Sequence, residues 1–166
     1  IVEVSGRRRR LAACPTIYTA DHDNLKDTDG WNVWSASCDM ASTHTVDSDK
    51  TVKIKKSLSM SDELVIDRGS DTSGDYNRHF YVVGGSLELE GVTLKGGYAD
   101  SGGVVYIGGN SGSGKFTRVH FKENTASYRG GAVLVRSSST FISCSWSGNR
   151  ANPGSGNDLY IYSSAG

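Results

Sequence analysis

Residues 116 to 135 read FTRVHFKENTASYRGGAVLV, and the fold is decided by two properties of that stretch. Val119 and Phe121 alternate with Arg118, His120 and Lys122, the period of two expected of a half-buried strand. The stretch also recurs. Leu89-x-x-Val92-x-Leu94-x-x-Gly97-x-Ala99, Phe116-x-x-Val119-x-Phe121-x-x-Asn124-x-Ala126 and Phe141-x-x-Cys144-x-Trp146-x-x-Asn149-x-Ala151 share one template, offset by 27 and then 25 residues. Each copy is followed by a glycine-rich start and an apolar run: Gly102-Gly103-Val104-Val105-Tyr106-Ile107, Gly130-Gly131-Ala132-Val133-Leu134-Val135 and Gly156-Asn157-Asp158-Leu159-Tyr160-Ile161. An incomplete copy, Asn77-Arg78-His79-Phe80-Tyr81-Val82, precedes them.

A fixed period between about 20 and 50 residues marks a solenoid or a propeller, whose units bury their apolar faces by stacking on neighbours. No segment after Lys50 sustains a helical apolar period, and the 21 glycines place turns between short strands. A unit of about 25 residues with two or three such strands is one rung of a parallel β-helix, whereas a propeller blade takes roughly 40 to 50 residues and four strands. The expected fold is all-β. Residues 43–166 form a single-stranded parallel β-helix of about four to five coils, and residues 1–42 form an amino-terminal cap.

Phe121-Lys122-Glu123-Asn124 matches an F-x-x-N signature and Gly130-Gly131-Ala132-Val133 a G-G-A-[I/L/V] signature. In these two motifs the chain, from Asn77 to Tyr162, resembles the polymorphic outer-membrane protein repeats of cell-surface adhesins. The resemblance implies a right-handed β-helix and surface exposure rather than any particular chemistry. Three departures stand out: Gly97 replaces the asparagine, Trp146 replaces the phenylalanine of the third copy, and Val104 follows Gly102-Gly103. Physically, a side-chain amide at Asn124 and Asn149 suits turn backbone groups, and stacked copies extend into an internal ladder.

Composition narrows the function classes. The chain has 166 residues, 36% of them hydrophobic, and its 18 basic and 18 acidic side chains cancel. There is no global electrostatic reason to seek nucleic acid or an anionic membrane, and no apolar run long enough to span one. The dense charge run Arg7 to Arg10 adjoins the chain start and reads as a solvated or processed tail. No signal peptide is recognisable.

Cys144 occupies the template position of Val92 and Val119, so it is expected to be a buried free thiol. That leaves Cys14 and Cys38 as a disulfide, stapling a cap that also carries Trp31 and Trp34. A disulfide implies an oxidising compartment, hence a secreted or cell-surface protein. A cap is needed because an open first coil presents unpaired backbone and apolar side chains.

With Phe80, Val82, Val105, Ile107, Val133, Val135, Leu159 and Ile161 facing inward, their neighbours Tyr81, Tyr106, Leu134 and Tyr160 face outward. They form a vertical file at the spacing of adjacent strands, about 4.8 Å. Such an apolar stripe suits stacking of sugar rings, so a polysaccharide or cell-surface glycan is the expected partner. The alternatives are that the cap covers the stripe or that copies of the protein self-associate through it, and the inverse phase would bury the tyrosines. A second outward file carries Arg118, His120 and Lys122. Right-handed β-helix polysaccharide lyases are similar in placing basic residues on a sheet face to neutralise a uronate, so a small lyase or epimerase is the alternative function. The trio lacks the clustered carboxylates such chemistry uses.

Other motifs are weak. Asp21-His22-Asp23 has metal-binding residue types but no second ligand set. Gly108 to Lys115 lacks the order of a phosphate loop. Ser137-Ser138-Ser139 has no histidine or acid at an interpretable position. The sequence therefore predicts a glycan-binding or adhesion module, with no catalysis and no cofactor.

Overall fold

The structure is a computed structural model that describes residues 11–20, 29–68 and 77–162. Arg7 to Arg10, Asp21-His22-Asp23 and most of the polar stretch after Asp67 lie outside the described residues. Among those described, every regular element is a β-strand.

One complete coil runs through Ser86–Glu90, Val92–Lys95, Tyr98–Ser101 and Val105–Ile107. The next repeats it as Ser113–Thr117, His120–Lys122, Thr125–Arg129 and Val133–Val135. Ser138–Ile142, Ser145–Ser147 and Leu159–Ile161 complete the last. Corresponding strands pair in parallel, building one six-stranded sheet, two five-stranded sheets and a two-stranded one, a β-solenoid of about five turns. The template offsets are visible as register: Phe116 pairs with Leu89 and Phe141, and Phe121 with Leu94 and Trp146.

Alternation decides what is inside. In Thr51–Lys56 Val52 and Ile54 are fully buried while their neighbours face outward. Because register stacks like on like, the interior is a set of vertical files. Phe116 stacks on Phe141 with ring centroids 4.9 Å apart, and Phe121 on Trp146 at 4.3 Å. Such pairs add about 0.5–1.5 kcal/mol each beyond area burial. The expected inward positions are buried except in the final coil, where Leu159 is half-buried and Ile161 exposed. Leu159–Ile161 pairs only on the Val133–Val135 side, so among the described residues nothing stacks beyond it.

The amino-terminal segment does more than cap. Asn32–Trp34, Cys38–Asp39 and His44–Val46 already pair with strands of the second coil, so two of these strands precede residue 43. In front of them, Ala12–Ala13 pairs with Cys38–Asp39, and the disulfide Cys14–Cys38 locks that contact. The buried Asn32 amide donates to the Tyr18 carbonyl at 2.8 Å and to Lys53 at 2.9 Å, tying the segment to two coils. Trp34 joins the core, whereas Trp31 lies near the Lys53 and Lys55 ammonium groups.

Two turns per coil explain the template. The first carries a left-handed residue at Gly91, Arg118 and Ser143, and the second at Gly96, Glu123 and Gly148. Arg118 is therefore a turn residue at φ 52° and not a member of the outward strand file with His120 and Lys122. The asparagine follows the second turn. Asn124 is fully buried; its amide donates to Leu94 O at 3.1 Å and to Asn149 Oδ1 at 3.0 Å, while its own Oδ1 accepts from Gly97 N at 3.0 Å. Asn149 repeats this toward Phe121 O, so the amide ladder exists, with the left-handed strain displaced one residue earlier.

The second glycine of each pair answers to close approach. A Cβ on Gly103 would lie 2.3 Å from Gly131 O, and one on Gly131 would lie 2.0 Å from Asn157 O, backbone that cannot step aside. Cys144 is packed against the core but only half-buried, because it belongs to the last coil. Burial raises its thiol pKa, so it is poorly suited to act as a nucleophile.

Candidate functional site

The outward tyrosines form the expected ladder. Thr45, Tyr81, Tyr106, Leu134 and Tyr160 are consecutive register partners. Tyr81 and Tyr106 hold their ring centroids 5.2 Å apart at 46°. Leu134 corrects the expectation of a continuous exposed stripe, being only 4% exposed. It stands in register between the larger Tyr106 and Tyr160, each of which has an arginine beside it.

Those arginines had no place in the sequence-based site. The Arg136 guanidinium donates to Tyr106 Oη at 3.2 Å and lies 4.8 Å from the Tyr162 ring centroid. The phenol oxygen raises the Arg136 pKa. Arg129 lies 4.9 Å from the Tyr160 ring and 4.5 Å from Tyr128. Arg78 is buried, 5.4 Å from Tyr81 and 5.3 Å from Tyr106. It donates to Ser101 O at 2.7 Å and Gly102 O at 3.1 Å and pairs with Asp100 at 3.3 Å. A buried guanidinium–ring contact such as that of Arg78 contributes about 1–2 kcal/mol and restricts ring orientation.

Part of this cluster lines an open groove: Thr43, Thr45, Arg78, Tyr81, Asp100 and Tyr106 border about 460 Å³. The Asp100 side chain remains 56% exposed although one oxygen serves Arg78 and Ser101 N. The groove is thus bordered by two aromatic rings, two threonines and a carboxylate, with the Arg78 charge balanced by Asp100. Arg78 was missed because it precedes the alternating strand Phe80–Val82, and Asp100 because its strand, Tyr98–Ser101, was not recognised as presenting an outward side chain beside the tyrosines. Thr43 and Thr45 belong to a coil that carries no template.

The second file is differently built. Thr93, His120 and Ser145 are register partners, as are Lys95, Lys122 and Ser147. Each basic group has a carboxylate: Arg118 pairs with Glu90, Lys95 with Glu123 at 3.2 Å, Lys122 with Glu123 at 4.0 Å and His120 with Glu63 at 3.5 Å. Each member of the trio Arg118, His120 and Lys122 thus has a carboxylate beside it, Lys122 sharing Glu123 with Lys95, so the trio is not a bare cationic patch for a uronate. The Thr93 hydroxyl donates to Glu63, and this bond, with His120 and Lys122 beside it, holds the Glu63 pKa below the ordinary carboxylate range.

Among the described residues no three histidine, cysteine or carboxylate side chains gather as a metal site, and no helix is long and apolar enough to cross a membrane. No family model, curated protein or solved structure matches the chain.

Proposed function

We propose that the protein is an extracellular glycan-binding module whose site is the groove between Tyr81, Tyr106 and Asp100. The observation that carries this reading is the paired, arginine-held Tyr81 and Tyr106 rings beside a solvent-facing carboxylate. Sugar rings present C–H bonds on one face, which pack on aromatic faces, and hydroxyls at the rim, which donate to carboxylates. A volume near 460 Å³ lies within the usual range for ligand clefts, about 300–1,000 Å³. The Arg78–Asp100 pairing removes the net charge that would select a uronate, so the ligand class is a neutral glycan. Location outside the cell is supported by the Cys14–Cys38 disulfide and by the adhesin-like F-x-x-N and G-G-A repeats.

Binding to an array of neutral glycans, compared between the wild-type chain and Tyr81→Ala and Tyr106→Ala, tests the site. Losing one ring costs about 1.4 kcal/mol of binding, so each variant binds about tenfold more weakly while keeping its fold, which circular dichroism checks. Undiminished binding in both variants would remove the groove from the account.

A further inference from the structure

The face of the six-stranded sheet carries an arrangement that no single stretch of sequence contains. Ser147 Oγ lies 2.8 Å from His120 Nε2, and His120 Nδ1 lies 3.5 Å from Glu63 Oε1. We infer that Ser147, His120 and Glu63 form an acyl-transfer relay that hydrolyses esters of small carboxylic acids, with Ser147 as nucleophile. This site is on a different sheet from the Tyr81–Tyr106 groove and stands or falls independently of it.

The roles follow from the order of the contacts. A serine hydroxyl is a weak nucleophile until a neighbouring base takes its proton, and the imidazole does so from one nitrogen while a carboxylate orients the other. The solenoid supplies this order through its rungs. Ser147 stands one coil beyond His120, and Glu63 precedes the strand two coils before it. Two coil spacings, about 10 Å, separate the backbones of Glu63 and His120. Glu63 lies two residues before Val65, the residue in register with Thr93 and His120, and its long side chain reaches diagonally to the Thr93 hydroxyl, which holds the carboxylate beside His120. Lys122 is the register partner of Ser147 in the same outward file, its ammonium 4.0 Å from Glu123 Oε1.

The chemistry balances without a further reactant. Ser147 Oγ bonds to the ester carbonyl carbon as its proton passes to His120 Nε2. Collapse of the tetrahedral adduct breaks the bond to the alkoxy oxygen, which leaves as an alcohol carrying that proton. Water, deprotonated by His120, then attacks the acyl-serine, releasing the carboxylic acid and restoring Ser147. Ser147 is solvent-exposed on the outward face of its sheet, open to a small ester. Acetyl esters are the class that fits.

The test pairs an alkyl fluorophosphonate with p-nitrophenyl acetate turnover by the full chain. The expected result is a single phosphonylated residue, Ser147, identified by mass spectrometry. Both labelling and turnover are lost in Ser147→Ala, and turnover falls at least about 100-fold in His120→Ala. Glu63 is a positioning residue, so Glu63→Gln lowers kcat while leaving KM in place and the chain folded. All three side chains are at least partly exposed, so the variants are expected to fold, and circular dichroism checks this. Absence of label on Ser147, or turnover that survives Ser147→Ala as plain imidazole catalysis, would overturn the inference.

Discussion

Replacing Asn124 by alanine isolates what the internal ladder contributes. The side chain is fully buried, and truncation strands two backbone groups that water cannot reach: Leu94 O, which loses its donor at 3.1 Å, and Gly97 N, which loses its acceptor at 3.0 Å. Asn149 Oδ1 keeps one donor, the Asn124 backbone N at 3.0 Å, so it adds little. An unsatisfied buried group costs about 1–3 kcal/mol, which places the loss near 4 kcal/mol, a large share of the roughly 5–15 kcal/mol that holds a domain folded. Asn124→Asp separates hydrogen bonding from volume. It is isosteric and retains an acceptor for Gly97 N, yet it turns an oxygen toward Leu94 O and Asn149 Oδ1, so it destabilises at least as much as the alanine. Urea unfolding followed by tryptophan fluorescence reads both variants, with Trp146 stacked on Phe121 close to the site. A change below about 1 kcal/mol in Asn124→Ala would refute the ladder as a source of stability.

Three further outcomes follow from the same structure. Gly131→Ala drives a Cβ to 2.0 Å from Asn157 O and 2.4 Å from Arg150 O, so it separates the last two coils and lowers stability by more than about 2 kcal/mol in thermal melts. Replacing Cys14 and Cys38 together by alanine opens a loop with a sequence separation of 24, costing about 3 kcal/mol by chain entropy in urea titrations. His79 is fully buried with Nε2 at 2.9 Å from Ile66 O, and burial, helped by Arg68, depresses its pKa to about 3. The unfolded chain takes up that proton near the ordinary histidine pKa and the folded chain refuses it. Stability is therefore fully present above about pH 6.5 and falls by roughly 1 kcal/mol per unit toward pH 3. His44 and Glu63, also depressed, act in the same direction, and His79→Leu should flatten the slope between pH 6.5 and 4.5.

Local pattern and global register differ in how plainly a sequence carries them. Val119, Phe121 and the offsets of 27 and 25 residues reveal the coil because each copy obeys the same packing rule as its neighbours. The Tyr81–Tyr106 pairing was legible for the same reason: register follows from the repeat. The burial of Leu134 was not, since alternation places it on the outward file with the tyrosines. Arg118 looked like a strand residue by alternation, but the turn between the two sheets falls on it and demands a left-handed backbone. The first coil was invisible because Asn32–Trp34 and His44–Val46 carry neither the template nor the glycine pair. Glu63, His120 and Ser147 come from three different coils, and Glu63 lies in one that lacks the template, so no spacing linked it to the other two.

The central claim is that the Tyr81–Tyr106 groove holds a neutral glycan. It is tested most directly by titrating an array-selected oligosaccharide into isotope-labelled protein and following the tyrosine ring and backbone amide resonances. The account predicts that Thr45, Tyr81, Asp100 and Tyr106 shift together along one saturable curve. Saturable shifts centred instead on the Arg129, Tyr160 and Tyr162 cluster, or no saturable shift at all, would contradict it.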